Sequence, residues 1–269
     1  MLQLSSALVK TPVGLFRRCS TIWAKAFPPS KVSHPRSKPF RALEFGQDKF
    51  LPGRHHAILT SEKMGVLQRE IEKGVEILRK GGVIAFPTDT VYGLGADVFN
   101  STAVERIYEI KNRPKHQQLP LLIADIKQLT TLASPIPEIA WFLAKRFWPG
   151  GLTLVLHKAD LVPAYLAPGP TIAVRIPNHP VCRALIQHLG DPIIGTSANI
   201  SGQPSALTAE EVGQQLGEKI DLIINGGQCP GGKESTVVDV THEPPIILRQ
   251  GIIPSPEIDK AYKEYLEAK

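Results

Sequence analysis

From Ser61 the apolar positions Met64, Leu67, Ile71, Val75 and Leu78 recur at helical spacing, and the run stops at Gly81-Gly82, a helix C-terminal signal. Val83 to Phe86 then reads as a short buried strand. Thr102 with Glu105 has the capping-box spacing, which predicts a helix through Ile110 that Pro114 keeps from running further. Leu119 to Ala124 predicts a second strand, and Ile136 to Phe147 a helix closed by Trp148-Pro149-Gly150-Gly151. Strands follow at 152–157 and 171–176, a helix at 180–189, and a strand from Pro192 that runs into the polar loop Thr196 to Ser205. Thr208 with Glu211 is a second capping box, predicting a helix to Leu216, and three further strands are expected at 221–225, 235–240 and 246–248.

Strands alternate with helices and then crowd together near the end, which indicates an α/β fold with a mixed parallel and antiparallel sheet and flanking helices. No repeat and no internal linker divides this region, so one domain of about 200 residues is the economical reading. Its expected limits are 56–255, followed by a short helical tail over 256–269.

The charge is unevenly distributed. Of 31 Lys and Arg residues, eight (Lys10, Arg17, Arg18, Lys25, Lys31, Arg36, Lys38 and Arg41) fall before residue 44 with no acid among them. The remaining 23 basic residues meet 25 acidic ones, so the body is near neutral at −2 although the chain carries +6. An acid-free leader with spaced Arg, Ser and Thr, and with Leu2, Leu4, Leu8, Leu15 and Phe16 to form an apolar face, reads as a mitochondrial presequence. A basic tail without targeting function has the same composition. Residues 1–55 are therefore expected to be leader and linker, with mitochondrion and cytoplasm as the expected locations. Cys19, Cys182 and Cys229 show no paired spacing, which argues for a reducing compartment and against a disulfide frame or structural zinc. No stretch approaches the length of a membrane span, so no membrane insertion is expected.

The candidate chemistry lies where strands end. FPTDTVYGLG, residues 86–95, spends Thr88, Asp89 and Thr90 where burial would favour aliphatics, and Gly93 and Gly95 suggest close approach of the chain to a ligand. In open α/β sheets ligands bind outside strand ends, so this loop, the Thr196 to Ser201 loop and Gly226-Gly227 are expected to converge. Lys111 and Arg113 in IKNRP put two cations on a fixed turn, a geometry suited to adjacent polyphosphate oxygens. Each is worth about 4 kcal/mol at ~4 Å and an effective dielectric of about 20, before desolvation. Arg175 interrupts an apolar strand and calls for a carboxylate or phosphate partner; an amino-acid substrate would suit.

Other signals are decoys. Gly227 to Lys233 matches the spacing of a P-loop, but Glu234 stands at the magnesium-binding Ser/Thr position and a strand follows instead of a helix. Gly93-Leu94-Gly95 lacks a dinucleotide fingerprint's third glycine. Trp141, Phe142, Phe147 and Trp148 read as core packing, and no Ser-His-Asp or HExxH arrangement is present. These residues predict an anion and nucleotide pocket without covalent catalysis.

Taken together, FPTDTVYGLG, KNRP, WPGGLTLVL, AVRIP, SAN and ESTVVDV resemble the YrdC/Sua5 family of threonylcarbamoyl-AMP synthases over roughly residues 60–252. The resemblance implies a single YrdC-like domain whose twisted sheet surrounds an open concave pocket. The implied reaction joins L-threonine, bicarbonate and ATP into L-threonylcarbamoyladenylate, with release of pyrophosphate and water. It implies catalytic roles for Lys111 and Arg113, nucleotide contacts from both and from Thr196, Ser197, Asn199, Ser235 and Arg249, and threonine contacts from Thr88, Thr90 and Arg175. Magnesium is expected to arrive with ATP, with no protein-only metal site. A downstream tRNA transferase of the Kae/Qri type would receive the adenylate for t6A formation next to the anticodon, and tRNA itself is a weaker expected partner. Two departures stand out: Leu122 occupies the place of a threonine-holding His found in some longer members, and the chain ends soon after Arg249 without their C-terminal domain, implying a more open site. A rival reading is a non-catalytic module for tRNA or double-stranded RNA, against which the near-neutral body counts.

Overall fold

The computed structural model describes residues 61–269. The leader and linker expected over 1–55 lie outside the described residues. From α1 (Ser61–Arg79) the chain passes through β1 (Ile84–Phe86), β2 (Gly93–Gly95), α2 (Ser101–Lys111) and β3 (Leu121–Leu122). A single 3-10 turn (Ile126–Gln128) leads into α3 (Leu129–Leu132) and α4 (Glu138–Phe147), then β4 (Leu152–His157), β5 (Thr171–Arg175), α5 (Pro180–Leu189), β6 (Ile193–Ile194) and β7 (Thr196–Ser197). After α6 (Ala209–Leu216) and a second 3-10 turn come β8 (Leu222–Ile223), β9 (Thr236–Asp239), β10 (Ile246–Arg249) and α7 (Ser255–Glu267).

The strands form two mixed sheets, ordered β7-β2-β1-β8 and β10-β9-β4-β5-β3-β6. In the smaller, β1 runs antiparallel to β2 and parallel to β8; in the larger, β4 is antiparallel to β5 and parallel to β9. One continuous segment joins them. β6 pairs with β3, Gly195 donates its N–H to Pro120 O, and β7 pairs with β2 in the other sheet. The polar loops at the strand ends gather around this crossing.

Of the apolar stripe expected on α1, Ile71, Val75 and Leu78 are buried, Leu67 is half-buried and Met64, in the first turn, is exposed. Gly74 lets it lie close to its neighbours, since a Cβ there would sit 3.1 Å from both Leu185 of α5 and Ile224. β1 has no exposed surface on Ile84, Ala85 or Phe86, and each large side chain so buried contributes about 1.5–3 kcal/mol.

Local chemistry shifts several boundaries. α2 is capped by Asn100, whose side chain accepts the Ala103 N–H, and not by Thr102. It ends because Asn112 adopts a left-handed conformation with φ of 50°, two residues before Pro114. Thr208 does cap α6, but the Glu211 carboxylate reaches back to the Leu207 N–H, one residue short of the cap itself. α4 starts at Glu138 because extended Pro137 stands at its N-cap. The aromatics expected in the core are not there: α4 packs inward with Ile139, Ala140, Leu143 and Ala144, Trp141 is 38% exposed, and Phe142 meets Tyr265 of α7 edge-on at 5.7 Å. The strongest apolar face of α4 is thus made of smaller side chains, and its aromatics receive the last helix.

Candidate functional site

One cavity opens where the two sheets meet, and strands and loops of both supply its walls. The β1–β2 loop gives Thr88 and Thr90, β3 gives Leu122, β4 gives Thr153, β5 ends in Arg175, and β7 gives Thr196 and Ser197. Arg113, just beyond α2, joins Glu234 and Ser235 before β9 and Arg249 at the end of β10. Eight of the ten residues assigned from the sequence line this cavity; Lys111 and Asn199 do not.

Around Arg175 the hydrogen bonds fix individual protons. Thr88 Oγ1 donates to Val91 O at 2.6 Å, which uses its only proton. The 3.0 Å contact between Thr88 and Thr90 hydroxyls therefore has Thr90 as donor. Thr90 Oγ1 in turn accepts from Arg175 Nη1 at 2.9 Å. Arg175, 6% exposed, also donates from Nε to Gly150 O at 2.9 Å and from Nη2 to Asp89 Oδ1 at 2.6 Å. The carboxylate partner that the sequence reading sought in a substrate is thus already present in the chain.

A second wall is built on Ser235. Its hydroxyl lies 2.8 Å from Thr153 Oγ1, and Arg249 Nη2 donates to its carbonyl at 2.9 Å. Glu234 faces the same space and accepts from Ser205 Oγ at 2.5 Å; that hydrogen bond holds its carboxyl below the usual range, against its desolvation. Arg113, Arg175 and Arg249 share the cavity closely enough that the first two lower the pKa of Arg249, after the larger effect of burial. Among the described cavity-lining residues, Glu234 is the carboxylate opposing these three guanidinium groups.

Lys111 and Arg113 do not form the paired grip expected of them. Left-handed Asn112 turns the chain between them, so their side chains diverge. Lys111 is 1% exposed and donates to Ser197 O at 2.5 Å, Asn199 O at 2.8 Å and Asn199 Oδ1 at 3.1 Å. Those are all three donors of an ammonium. Its own carbonyl accepts from Ser201 N at 3.0 Å, and Asn199 Nδ2 donates to Gln203 O at 2.6 Å. Burial first, and Arg113 second, bring the Lys111 pKa down to about 7. Arg113 faces the cavity, holding Gln118 O at 3.0 Å.

The glycines of FPTDTVYGLG are needed for packing within the sheet. A Cβ on Gly93 would lie 2.8 Å, and one on Gly95 2.7 Å, from the ring of Phe86 on the neighbouring strand. They make room for that ring, and Gly93 lines the cavity as well. Gly195 likewise makes room for Leu122, whose Cγ would be 2.2 Å from its Cβ, and both residues lie on the cavity wall. The P-loop look-alike leads straight into β9, and its Gly231 packs on Asp89 O and Thr90 Cα. Thr153, Glu234 and the placement of Asp89 were missed: Thr153 sits in an apolar strand, Glu234 registers only as a mismatch, and nothing local marks Asp89 as the partner of Arg175.

Among the described residues no group of three or more His, Cys, Asp or Glu side chains gathers to hold a metal. No helix among them is long and apolar enough to cross a membrane.

A family model described as telomere recombination, Sua5/YciO/YrdC, matches residues 76–251. The threonylcarbamoyl-AMP synthase of Pyrococcus abyssi is 45% identical over 208 residues, covering 77% of this chain and 61% of that protein. The Bacillus subtilis protein of the same name is 45% identical over 201 residues, covering 74% and 58%. This chain thus spans about three fifths of the length of these two curated relatives. YciO of Escherichia coli, a protein without assigned function, is 37% identical over 188 residues, covering 69% and 90%. Among solved structures, P. abyssi Sua5 complexed with L-threonine superimposes with a TM-score of 0.69 at 48% identity, over 71% of this chain and 56% of that one. E. coli YciO gives 0.64 at 37%, over 68% and 90%. With a family match across the whole cavity-bearing region, and with fold and sequence in agreement, the chain belongs to the Sua5/YciO/YrdC family.

Proposed function

We propose that the chain is an L-threonylcarbamoyladenylate synthase: L-threonine, bicarbonate and ATP give the adenylate, pyrophosphate and water. The observation that carries this is a single cavity in which Arg113, Arg175 and Arg249 converge on walls of Thr and Ser hydroxyls. That excess of positive charge suits a triphosphate and a carboxylate together. Threonine is assigned to Thr88, Thr90 and Arg175, with the Leu122 side chain as an apolar contact for its methyl group. The nucleotide is assigned to Arg113, Thr196, Ser197, Ser235 and Arg249.

In the reaction the threonine nitrogen loses a proton and attacks bicarbonate carbon, water leaves, and a carbamate forms. A carbamate oxygen then bonds to the α-phosphorus as the bond to pyrophosphate breaks. The chain's share is placement and charge neutralisation, with Arg113 opposing the developing phosphate charge and Lys111 holding the loop that presents Thr196 and Ser197. Glu234 is a lone carboxylate with one oxygen committed to Ser205, so magnesium fits here as a companion of the ATP phosphates.

The test is incorporation of radiolabelled bicarbonate with ATP and L-threonine in the absence of RNA. Threonine-dependent labelled adenylate with stoichiometric pyrophosphate supports the reading. No product, together with steeply salt-dependent RNA binding, overturns it in favour of a nucleic-acid module. We assign the adenylate to a downstream tRNA transferase, and residues 1–43 to mitochondrial targeting alongside a cytoplasmic pool. Deleting residues 2–43 behind the start codon then abolishes the mitochondrial signal, and persistence of that signal refutes the targeting assignment.

A further inference from the structure

Arg175 leaves part of its donor capacity uncommitted. A guanidinium has five N–H groups, and three are spent on Gly150 O, Thr90 Oγ1 and Asp89 Oδ1. Among the described residues no partner takes the other two, and the side chain lines the cavity. Asp89 itself is not on the cavity wall. Its side chain is 15% exposed against 7% for Arg175, and the same Oδ1 accepts the Asn178 N–H at 2.9 Å. One carboxylate oxygen therefore ties the β1–β2 loop to the segment that leaves β5, with the arginine between them. Slack in this arrangement is small, because Gly231 packs on Asp89 O and Thr90 Cα so closely that a Cβ would be 2.6 Å and 2.7 Å away.

We propose that Asp89 is a positioning and specificity residue: from behind the cavity it fixes the orientation of Arg175 and offsets its charge, so that this pole takes a zwitterionic amino acid in preference to a second polyanion. The inference rests on the synthase reading. An arginine with no counter-ion would grip any phosphate or carboxylate that entered, and ATP is the more highly charged ligand of the two. Paired with Asp89, Arg175 presents directional N–H donors with little net charge, which match a carboxylate borne next to an ammonium. Thr90 contributes to the same selection. Its proton is committed to Thr88, so its remaining capacity is to accept, as an ammonium requires.

Asp89→Asn keeps an oxygen for the Asn178 N–H and removes the charge. In the full chain, with the labelled-bicarbonate assay, it is expected to raise the KM for L-threonine by about tenfold to a hundredfold, the range for a hydrogen bond to a charged group. The KM for ATP stays within about twofold, and ATP becomes an inhibitor competitive with threonine. Asp89→Glu, which restores the charge, recovers part of the threonine affinity; a purely structural role would move both KM values and the unfolding midpoint together. Should Asp89→Asn fail to fold, Asp89→Ser, with a hydroxyl for Asn178 and no reach to Arg175, is measured for the same split. Wild-type turnover with an unchanged threonine KM in the variants overturns this inference alone. Absence of wild-type turnover overturns the synthase reading.

Discussion

Lys111 holds Asn199 twice, donating to its backbone carbonyl at 2.8 Å and its side-chain Oδ1 at 3.1 Å, and the third donor reaches Ser197 O. The lysine therefore acts as a clamp on the loop that forms one wall of the cavity. With 1% exposure it presents no free donor to a phosphate in this structure.

Replacing this clamp is expected to disturb both stability and activity. Lys111→Met leaves buried oxygens without a donor, at about 1–3 kcal/mol for each acceptor left unsatisfied. The unfolding midpoint falls by roughly 2–4 °C per kcal/mol in a domain of this size. Pyrophosphate release drops about a hundredfold, because Thr196 and Ser197 lose their placement. Differential scanning calorimetry beside the turnover assay checks both, and a fall in turnover with an unchanged midpoint would show direct phosphate contact instead.

The same residue makes stability depend on pH. Its pKa in the folded chain is lowered to about 7 from the ordinary 10.5, by burial first and Arg113 second. Between those values the unfolded chain binds more protons than the folded one, so stability rises with pH across the window. The contribution is complete above about 10.5, shrinks as the pH falls, and is gone below about 7. Urea midpoints of wild type and Lys111→Met at pH 7 and pH 9 should separate further at the higher pH; an equal gap at both would show that Lys111 stays charged throughout.

Thr90→Val removes an acceptor from Arg175 and a donor to Thr88 while nearly conserving shape. Threonine affinity should fall by about tenfold, with ATP affinity unchanged. Isothermal titration with each ligand separates the two effects, and an equal loss for both would place Thr90 in the general architecture of the cavity.

Gly195→Ala tests the crossing between the sheets. A Cβ there would be 2.2 Å from Leu122 Cγ, so either Leu122 or the β6–β7 segment must move. The expected cost is about 1–3 kcal/mol, with reduced turnover because Thr196 and Ser197 follow directly. Pairing it with Leu122→Ala should recover part of the stability, as read by urea denaturation.

Much of the fold was legible because its signals are local. The Ile71, Val75 and Leu78 part of the α1 stripe, the buried β1 run and the Pro180 start of α5 each depend on spacing within a few residues and appear where the sequence predicts them, whereas Met64 at the start of that stripe is exposed. The polar character of the strand ends was equally plain. So was the need of Arg175 for a negative partner, since a cation in an apolar strand is costly to leave alone. Helix limits at Asn100 and Asn112 were misread because Thr102 and Pro114 offer competing local signals.

What the tertiary structure alone decided is pairing. Arg175 meets Asp89 across 86 residues, Thr153 meets Ser235 across 82, and Lys111 meets Asn199 across 88. No periodicity encodes such separations. Whether Lys111 faces a ligand or a loop, and whether Asp89 lies in the cavity or behind it, depend on how two sheets meet at Gly195. The sequence by itself determined which residues would be too polar to bury unpaired; the packing of the chain against itself determined which pairs they formed and which donors remained for a ligand.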